Sequence, residues 1–447
     1  MADIINISFK ATGEKKTIAT YVNGVLDEGV TEVTFTYNPQ EHDWIDHELV
    51  RNGDGTGSIE ITAQENLSEE NGRSVELTIS YQLGENPCGA TLQLCQPNKR
   101  GDTPVPPTPV ESAITVYTSS SGKFSVMCDE ISDNKITHGT IDSLEIDKTT
   151  IISAKINGSC VNEIYWEAFT GCSNLESVEI TEGIEIVGGF GSVSETAACI
   201  SLTGITIPSS AKKIGTSATG GHAFRNCTSL ESCIFKEDSH LEIISHDSFQ
   251  NCTSLTGITI PNSVTEIGTS AFQTCTSFTE CTFEPNSSLT KIGEGAFRWA
   301  RFTNIEIPSS VTSIGKYCFS DCPNLETVVL PPNITALNEG VFNLCSGITS
   351  IDIPDAVTSI SNVAFCDCFG LTSITIGTGI TSIDWQSFRN TRNLTSITIK
   401  AVTPPTLDGT AFSGMANCPI YVPSGSVEAY KTADVWSDYA SRIQAIP

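Results

Sequence analysis

From about residue 160 onward, apolar and polar positions recur in a fixed template. Phenylalanines stand at 169, 224, 249, 272, 297, 319, 342, 365, 388 and 412, and from Phe224 the steps are 25, 23, 25, 22, 23, 23, 23 and 24. A period of this length marks a solenoid, whose units stack because none can bury its apolar face alone. Counting from each phenylalanine as position 0, position +6 holds Leu230, Leu255, Leu325, Leu371 and Leu394. Positions +9 and +11 hold pairs such as Ile258/Ile260, Val328/Leu330, Ile351/Ile353 and Ile397/Ile399. Their spacing of two predicts a short strand with both side chains turned inward. Position −8 holds Val264, Val311 and Val357, and position −5 holds Ile267, Ile314 and Ile360. The 22-residue step after Phe297 fits a single deletion, and the long interval before Phe224 fits a degenerate coil around Phe190 with insertions near 192–198 and 216–221. About eleven coils at the ~4.8 Å strand spacing predict a stack on the order of 50 Å long.

The remainder of the chain has a different pattern. Segments 33–37, 58–61, 75–79 and 90–94 alternate apolar and polar residues between Gly- and Asn-rich turns. About seven short strands in the first hundred residues predict an immunoglobulin-like β-sandwich over 1–99. Pro104, Pro106, Pro107 and Pro109 then stiffen 100–111 into an extended linker. Residues 112–160 read as a β-rich N-terminal cap, 161–400 as the repeats, and 401–447 as a β/α C-terminal cap with a helix containing Tyr430, Val435 and Trp436.

Units of the form Ala-Phe-x-x-Cys-x-x-Leu-x-x-Ile-x-Ile-Pro resemble the BspA-like leucine-rich repeat. The tail Pro404-Pro405-Thr406, Ile420-Tyr421-Val422-Pro423, Tyr430 and Trp436 is similar to the C-terminal cap of that class. The first domain resembles a BACON-type immunoglobulin-like module through Trp44-Ile45, Gly57, Ile59, Ile61, Asn66, Arg73 and Leu92-x-Leu94-Cys95-Gln96. The fold class expected is therefore mostly β: an immunoglobulin-like sandwich followed by a leucine-rich solenoid of ~23-residue coils. Both types occur in gut Bacteroidetes and their phages. The first is implicated in adhesion, and the second is proposed to bind glycans or glycoproteins.

Composition narrows the partners. The 447 residues include 52 acidic and 24 basic side chains, a formal charge of −28, which disfavours nucleic acid and anionic membrane. No apolar run is long enough to span a bilayer. The start, Met1-Ala2-Asp3-Ile4-Ile5-Asn6, lacks the basic and apolar regions of a signal peptide. That favours a virion-surface protein of a Bacteroidetes phage (head decoration, fibre or tail-associated) that displays a glycan- or host-surface-binding solenoid. The alternative is a secreted or cell-surface bacterial adhesin that binds host protein or mucin glycan. The expected partners are other virion or surface proteins and host glycan or glycoprotein, with a homo-oligomer allowed and no membrane insertion.

Candidate chemistry is sparse. Cys172, Cys227, Cys252, Cys275, Cys322, Cys345 and Cys368 occupy position +3, as expected of a small buried hydrophobe in a reducing assembly compartment. The stretch 52–59 opens like a calcium loop but carries Ala63 where the bidentate Glu belongs, so it reads as a hairpin turn. His42 and His47 among four carboxylates at 41–48 read as an exposed acidic loop rather than a metal site. No catalytic constellation, cofactor motif or metal set is present, so no enzyme is expected. One surface pattern stands out. Arg225, Arg298 and Arg389 share position +1, Arg301 and Arg392 share +4, Trp166 and Trp385 share −3, and Trp299 lies at +2. Equivalent positions align in a solenoid, so these residues form a candidate Arg/Trp strip that could stack sugars or grip carboxylates. The plainer reading is salt bridging within the solenoid with partly buried indoles. Thr256, Thr259, Thr372, Thr375, Thr395 and Thr398 face outward from the strands, either as β-formers or as a docking sheet.

Overall fold

The computed structural model describes residues 111–447 except 132 and 217–220, together with the backbone of seven strands before residue 111. The chain divides into two compact units, Met1–Val110 and Glu111–Pro447. In the first, Ile5–Ser8, Asn86–Gln96, Arg73–Leu83 and Val30–Thr36 form one sheet in that order. Glu14–Ala19, Gly57–Ala63 and Ile45–Arg51 form another. The candidate loops at 41–44 and 52–56 lie outside the described residues.

The second unit is a β-solenoid. Each coil contributes a long strand at positions +8 to +11 and a two-residue strand just before the next phenylalanine. The short strands run in parallel from Lys135–Ile136 through Ser313–Ile314, and again from Ala336–Leu337 to Thr406–Leu407. The long strands number thirteen, from Ile151–Ile156 to Ile443–Ala445. The expected count of about eleven coils was therefore low, because both end segments add rungs of their own. Ile151–Ile156 pairs in parallel with Ser177–Ile180, and Ile443–Ala445 with Ile420–Val422, the strand of the Phe412 coil.

The phenylalanines hold the coils in register. Phe169, Phe190, Phe224, Phe249, Phe272, Phe297, Phe319, Phe342, Phe365, Phe388 and Phe412 form one continuous stack, with neighbouring ring centroids 4.8 to 5.8 Å apart. Phe412 then meets Trp436 edge-on at 5.9 Å, which closes the column. The leucines at +6, the isoleucines and valines at +9/+11, and the −8 and −5 residues pack around this stack in a single core, nearly all of them buried.

Polar side chains bind the coils as well. The +3 cysteines are buried, as their spacing implies, but they also act as donors. Cys252 Sγ donates to the Phe224 carbonyl one coil earlier at 3.1 Å, Cys275 to Phe249 at 3.1 Å, Cys345 to Phe319 at 2.9 Å and Cys368 to Phe342 at 3.1 Å. The carbonyls of Phe224, Phe249 and Phe342 already accept the N–H of their own +3 residue, so there the thiol occupies the second lone pair. The threonines behave alike. Thr279 Oγ1 donates to Thr256 O, Thr372 to Thr349 O and Thr395 to Thr372 O, at 2.9 to 3.2 Å. A second column, Thr290, Thr358 and Thr381, bonds the carbonyls of Thr265, Thr335 and Thr358. Thr256, Thr372 and Thr395 thus bind coil to coil, while Thr259 on the open face bonds Thr282 at 2.9 Å.

Both ends are closed. Ser112–Thr118 and Lys123–Met127 form a hairpin, and Ser112–Thr118 lies antiparallel on Ile151–Ile156, covering that edge of the sheet. A disulfide joins Cys128 to Cys160 across this cap. It departs from the reducing compartment expected from the cysteine pattern, since such bonds persist in oxidising environments. At the other end the helix is shorter than predicted: Val427–Thr432 contains Tyr430, while Val435 sits at φ 63° in a tight turn that precedes Trp436. Tyr430 donates to Ala401 O at 2.9 Å and Trp436 Nε1 to Pro405 O at 2.7 Å, so both buried rings keep their polar atoms satisfied.

Truncating the stack should be costly. Phe272→Ala is expected to lower stability by about 3–5 kcal/mol in denaturant unfolding, the usual cost of a buried aromatic truncation. The thirteen free cysteines among the described residues should also be inert. All are buried, and loss of solvation pushes Cys172 and Cys275 up to about 12. A thiol reagent at pH 8 should leave these thirteen unlabelled in the native protein and label all of them in denaturant, read by peptide mass spectrometry.

A candidate binding groove on the phenylalanine face

In nine of the eleven coils, all but those of Phe190 and Phe412, the turn that carries the phenylalanine bends twice through the left-handed region, at positions −2 and +2. At +2 the values are φ 88° for Gly171, 65° for Asn226, 61° for Asn251, 60° for Asp321, 60° for Asp367, 61° for Asn390 and 71° for Gly414. Glycine, asparagine and aspartate are the residues that tolerate this conformation. Three coils break the rule: Thr274 at φ 64°, Trp299 at 67° and Leu344 at 61°. A bulky residue held there is strained by about 1–2 kcal/mol.

Two of these three exceptions line one groove. Across the four coils from Phe297 to Phe365, the +2 column reads Trp299, Asp321, Leu344, Asp367. Beside it runs the column Arg301, Pro323, Ser346, Phe369, and together they enclose an open trough of about 350 Å3. Leu344 and Phe369 are 39% and 41% exposed, unusual for side chains of their size. Apolar and acidic residues therefore alternate along the groove.

Trp299 is held in place from one side. The Arg298 guanidinium lies 4.1 Å from its ring centroid, and Arg298 Nε donates to Asp321 Oδ2 at 2.9 Å. Ser320 Oγ donates to the same oxygen at 2.8 Å. Asp367 accepts from Asn390 Nδ2 at 2.7 Å through Oδ1 and from the Cys366 thiol at 3.3 Å through Oδ2. Backbone groups on this face are already used. The N–H groups of Trp299, Asp321, Leu344 and Asp367 donate to the carbonyls of Ser320, Asn343, Cys366 and Arg389 in the next coil.

The structure brings together only part of the expected strip. Arg298, Trp299 and Arg301 lie at the groove. Arg225 stands three coils from Arg298, ~14 Å, and Arg389 four coils from it in the other direction, ~19 Å at the strand spacing, one coil beyond the groove's far end at Asp367 and Phe369. Arg225 is tied to Asp247 at 3.4 Å, so it and Arg298 follow the plainer salt-bridge reading. Trp166 is half-buried five coils from Trp299. Trp385 is exposed; Arg389 bonds Gln386 at 3.1 Å and Arg392 reaches Asn390 at 3.5 Å. Among the described residues no ion pair involves Arg301, Arg389 or Arg392. The sequence reading missed Asp321, Pro323, Leu344, Ser346, Asp367 and Phe369. The available signal was a leucine and a tryptophan in a column otherwise rich in Gly, Asn and Asp.

A second polar cluster lies near Arg225. His222 Nδ1 is 3.5 Å and His246 Nδ1 3.9 Å from Asp247 Oδ2, and the two imidazoles meet edge-on at 5.9 Å. Burial lowers the affinity of His222 for a proton. Among the described residues no group of three or more His, Cys, Asp or Glu side chains is arranged to hold a metal ion. No described helix is long and apolar enough to cross a membrane.

Comparison with known families decides the class. The BspA type leucine rich repeat region matches in six copies, over residues 134–219, 196–298 and 290–418. The chain belongs to the BspA-type leucine-rich repeat family. No curated protein sequence matches it. Among solved structures it is similar to the pneumococcal vaccine antigen PcpA, at 20% identity over 66% of this chain and 77% of that one, TM-score 0.42. It is also similar to a leucine-rich cell surface protein of Faecalibacterium prausnitzii, at 23% identity over 67% and 95%, TM-score 0.34. A leucine-rich repeat protein of Bacteroides ovatus aligns at 23% identity over 74% and 90%, TM-score 0.46.

The strain argument makes a stability prediction that runs against the usual direction. Replacing Leu344 by Asn, the residue other BspA-type coils of this chain use at +2, should leave the melting temperature unchanged or raise it, by up to about 1 kcal/mol in unfolding free energy. A loss of more than 1 kcal/mol would show that Leu344 is a core residue.

Proposed function

We propose that this BspA-type chain is a non-catalytic adhesion protein displayed at a surface, with the Trp299–Phe369 groove as its partner-binding face. The observation that carries the reading is the exposure of Leu344 and Phe369 beside Trp299, since large apolar side chains left open in one trough mark an interaction surface. A groove holding a half-buried tryptophan and an exposed phenylalanine in a rigid frame has the makeup of a binding hot spot. The first hundred residues add an immunoglobulin-like domain of BACON type, which the count and order of its seven strands support, followed by the proline-rich linker at 100–111.

Of the two carriers considered, the Cys128–Cys160 bond favours a protein exported to an oxidising environment, as a bacterial adhesin would be. A phage virion surface is the second reading. The thirteen buried free cysteines favour it, because they fit assembly in a reducing cytoplasm. Immunogold labelling of cells and of purified particles separates the two.

The groove is tested by flow cytometry of labelled protein on epithelial and bacterial cells. Trp299→Asn combined with Phe369→Ser should reduce binding at least tenfold without lowering the melting temperature. Ile234→Ser with Val329→Ser, on the outward face of the long strands, should leave binding intact. The opposite pattern would move the binding face to the strands.

A further inference from the structure

We infer that the solenoid bends at one joint, between the coils of Phe319 and Phe342, and that this bending narrows the groove. The joint is a property of the backbone alone; its consequence for binding rests on the groove being the binding face. Three features carry the inference.

The first is a gap in the bonding between coils. At every other junction from Ile151–Ile156 onward, the long strands, the short strands or both are paired. Here, among the described residues, neither set is. Ser313–Ile314 does not pair with Ala336–Leu337, nor Thr327–Val329 with Ser350–Ile353. One coil on, Thr358 N–H donates to Thr335 O and Thr372 N–H to Thr349 O, both at 2.8 Å, yet Thr335 and Thr349 make no such bond to the coil before them. Two residues contribute to the gap. At position −4 the N–H of Gly293, Gly315 and Ser361 donates to a carbonyl one coil back at 2.8 to 2.9 Å. At Asn338 the side-chain amide takes that carbonyl, Ile314 O, in place of the backbone. After the long strand, Lys236, Glu284 and Lys400 N–H donate to the last strand carbonyl one coil back, whereas Pro354 has no N–H to offer Leu330 O.

The second is what does cross the joint. Tyr317, Phe319 and Asp321 N–H donate to Glu339, Val341 and Asn343 O at 2.8 to 2.9 Å. Cys345 Sγ donates to Phe319 O at 2.9 Å, and the Phe319 and Phe342 rings stay stacked at 5.5 Å. Lys316 and Tyr317 both hold the Glu339 carboxylate, at 2.9 and 2.7 Å. All of these lie at the phenylalanine turn. Along the strands, the Asn338 side chain makes the one bond across among the described residues. The coils are therefore hinged along the turn and loose along both strands. Buried Leu325, Ile334, Leu337 and Ile351 fill the space between, so the strands cannot approach further and bending must spread them.

The third is the place of the groove. The joint bisects it: the wall from Trp299 to Pro323 lies in the coils before, and the wall from Leu344 to Phe369 in the coils after. Each wall rides on paired coils, Asn304–Glu306 with Thr327–Val329 on one side and Ser350–Ile353 with Ser373–Ile376 on the other, so each moves as a unit. The lining side chains project outward from the turn, beyond the hinge line. Spreading the strands therefore brings the two walls together. The groove in this structure is the open form, and bending clamps it on what enters.

The joint is tested on the intact protein by thiol kinetics. Ile351 and Ile374 are both buried at position +9, one coil apart, where Cys233 and Cys281 stand in other coils. Ile351→Cys, at the joint, should react with a thiol reagent at least tenfold faster than Ile374→Cys or the native Cys233, read by peptide mass spectrometry. Equal rates would overturn the joint. Its coupling to the groove is read without a partner, by hydroxyl-radical footprinting of two disulfide staples between adjacent strands. Thr327→Cys with Ser350→Cys ties the strands across the joint, and Ser350→Cys with Ser373→Cys ties a paired junction. The first staple holds the groove open and should raise oxidation of Leu344 and Phe369 at least twofold over the second. No difference would overturn the claim that bending narrows the groove. On cells, the first staple should lose at least fivefold in binding and the second should lose none. Full binding by the first staple, with binding lost in Trp299→Asn combined with Phe369→Ser, would keep the groove and refute the clamp. Binding unaffected by that groove variant, with the thiol and footprinting results as expected, would support the joint and refute the groove as the binding face.

Discussion

Everything in the solenoid depends on each coil sitting squarely on the one before it, and the phenylalanine column enforces that register. Ten rings in stacked contact, with Phe412 tilted onto the last of them, hold successive coils in register, and each pair adds about 0.5–1.5 kcal/mol beyond its buried area. Once the rings align, every other position becomes a column. The leucines and isoleucines become a continuous core, the threonine hydroxyls reach the carbonyl one coil back, and the thiol at +3 meets the carbonyl of the previous phenylalanine. The cap residues extend the same logic: Trp436 ends the ring column edge-on, and the hairpin at 112–127 ends the long sheet.

The register that stabilises the core also constrains the surface. Bringing a ring inward requires the chain to bend through the left-handed region on either side of it, so position +2 is a place where the backbone selects small, tolerant residues. A bulky residue there costs stability and projects an apolar group in return. The chain accepts that cost at Trp299 and Leu344, two coils apart, and places a carboxylate in the coil after each, at Asp321 and Asp367. The Arg298 stack and the Asp321 bond then immobilise the indole, so part of the ordering cost of binding is met before any partner arrives. The cross-coil pairs at the surface, such as Lys291–Glu266 and Lys212–Glu185 at 2.8 Å, are about half exposed to solvent and contribute little by comparison.

Much of this was legible from the chain. The ring positions, the +6 leucines and the strand pairs follow from apolar spacing alone, because burial acts on every coil identically and leaves a periodic mark. The coil count was not legible at the ends, where Ile151–Ile156 and Ile443–Ala445 pair as rungs without the repeat's phenylalanine. The role of the +3 thiol was half visible: recurrence marks burial, but only the coil-to-coil distance reveals the donor. The Arg/Trp strip failed as a unit for a physical reason. Shared position guarantees alignment along a column, not adjacency, and residues three or four coils apart stay separate. The groove was missed because its signal is an exception within a column, visible only once the backbone explains what the column prefers.

The low charged fraction and the −28 net charge fit a soluble surface built from Ser, Thr and Asn, on which a trough of tryptophan, leucine and phenylalanine stands out. Hydroxyl-radical footprinting of the protein free and bound to its target cells tests whether that trough is the working face. Protection of Trp299, Leu344 and Phe369, with Ile234 and Val329 unchanged, is the predicted result. Protection of Ile234 and Val329 with Trp299 still freely oxidised would contradict it.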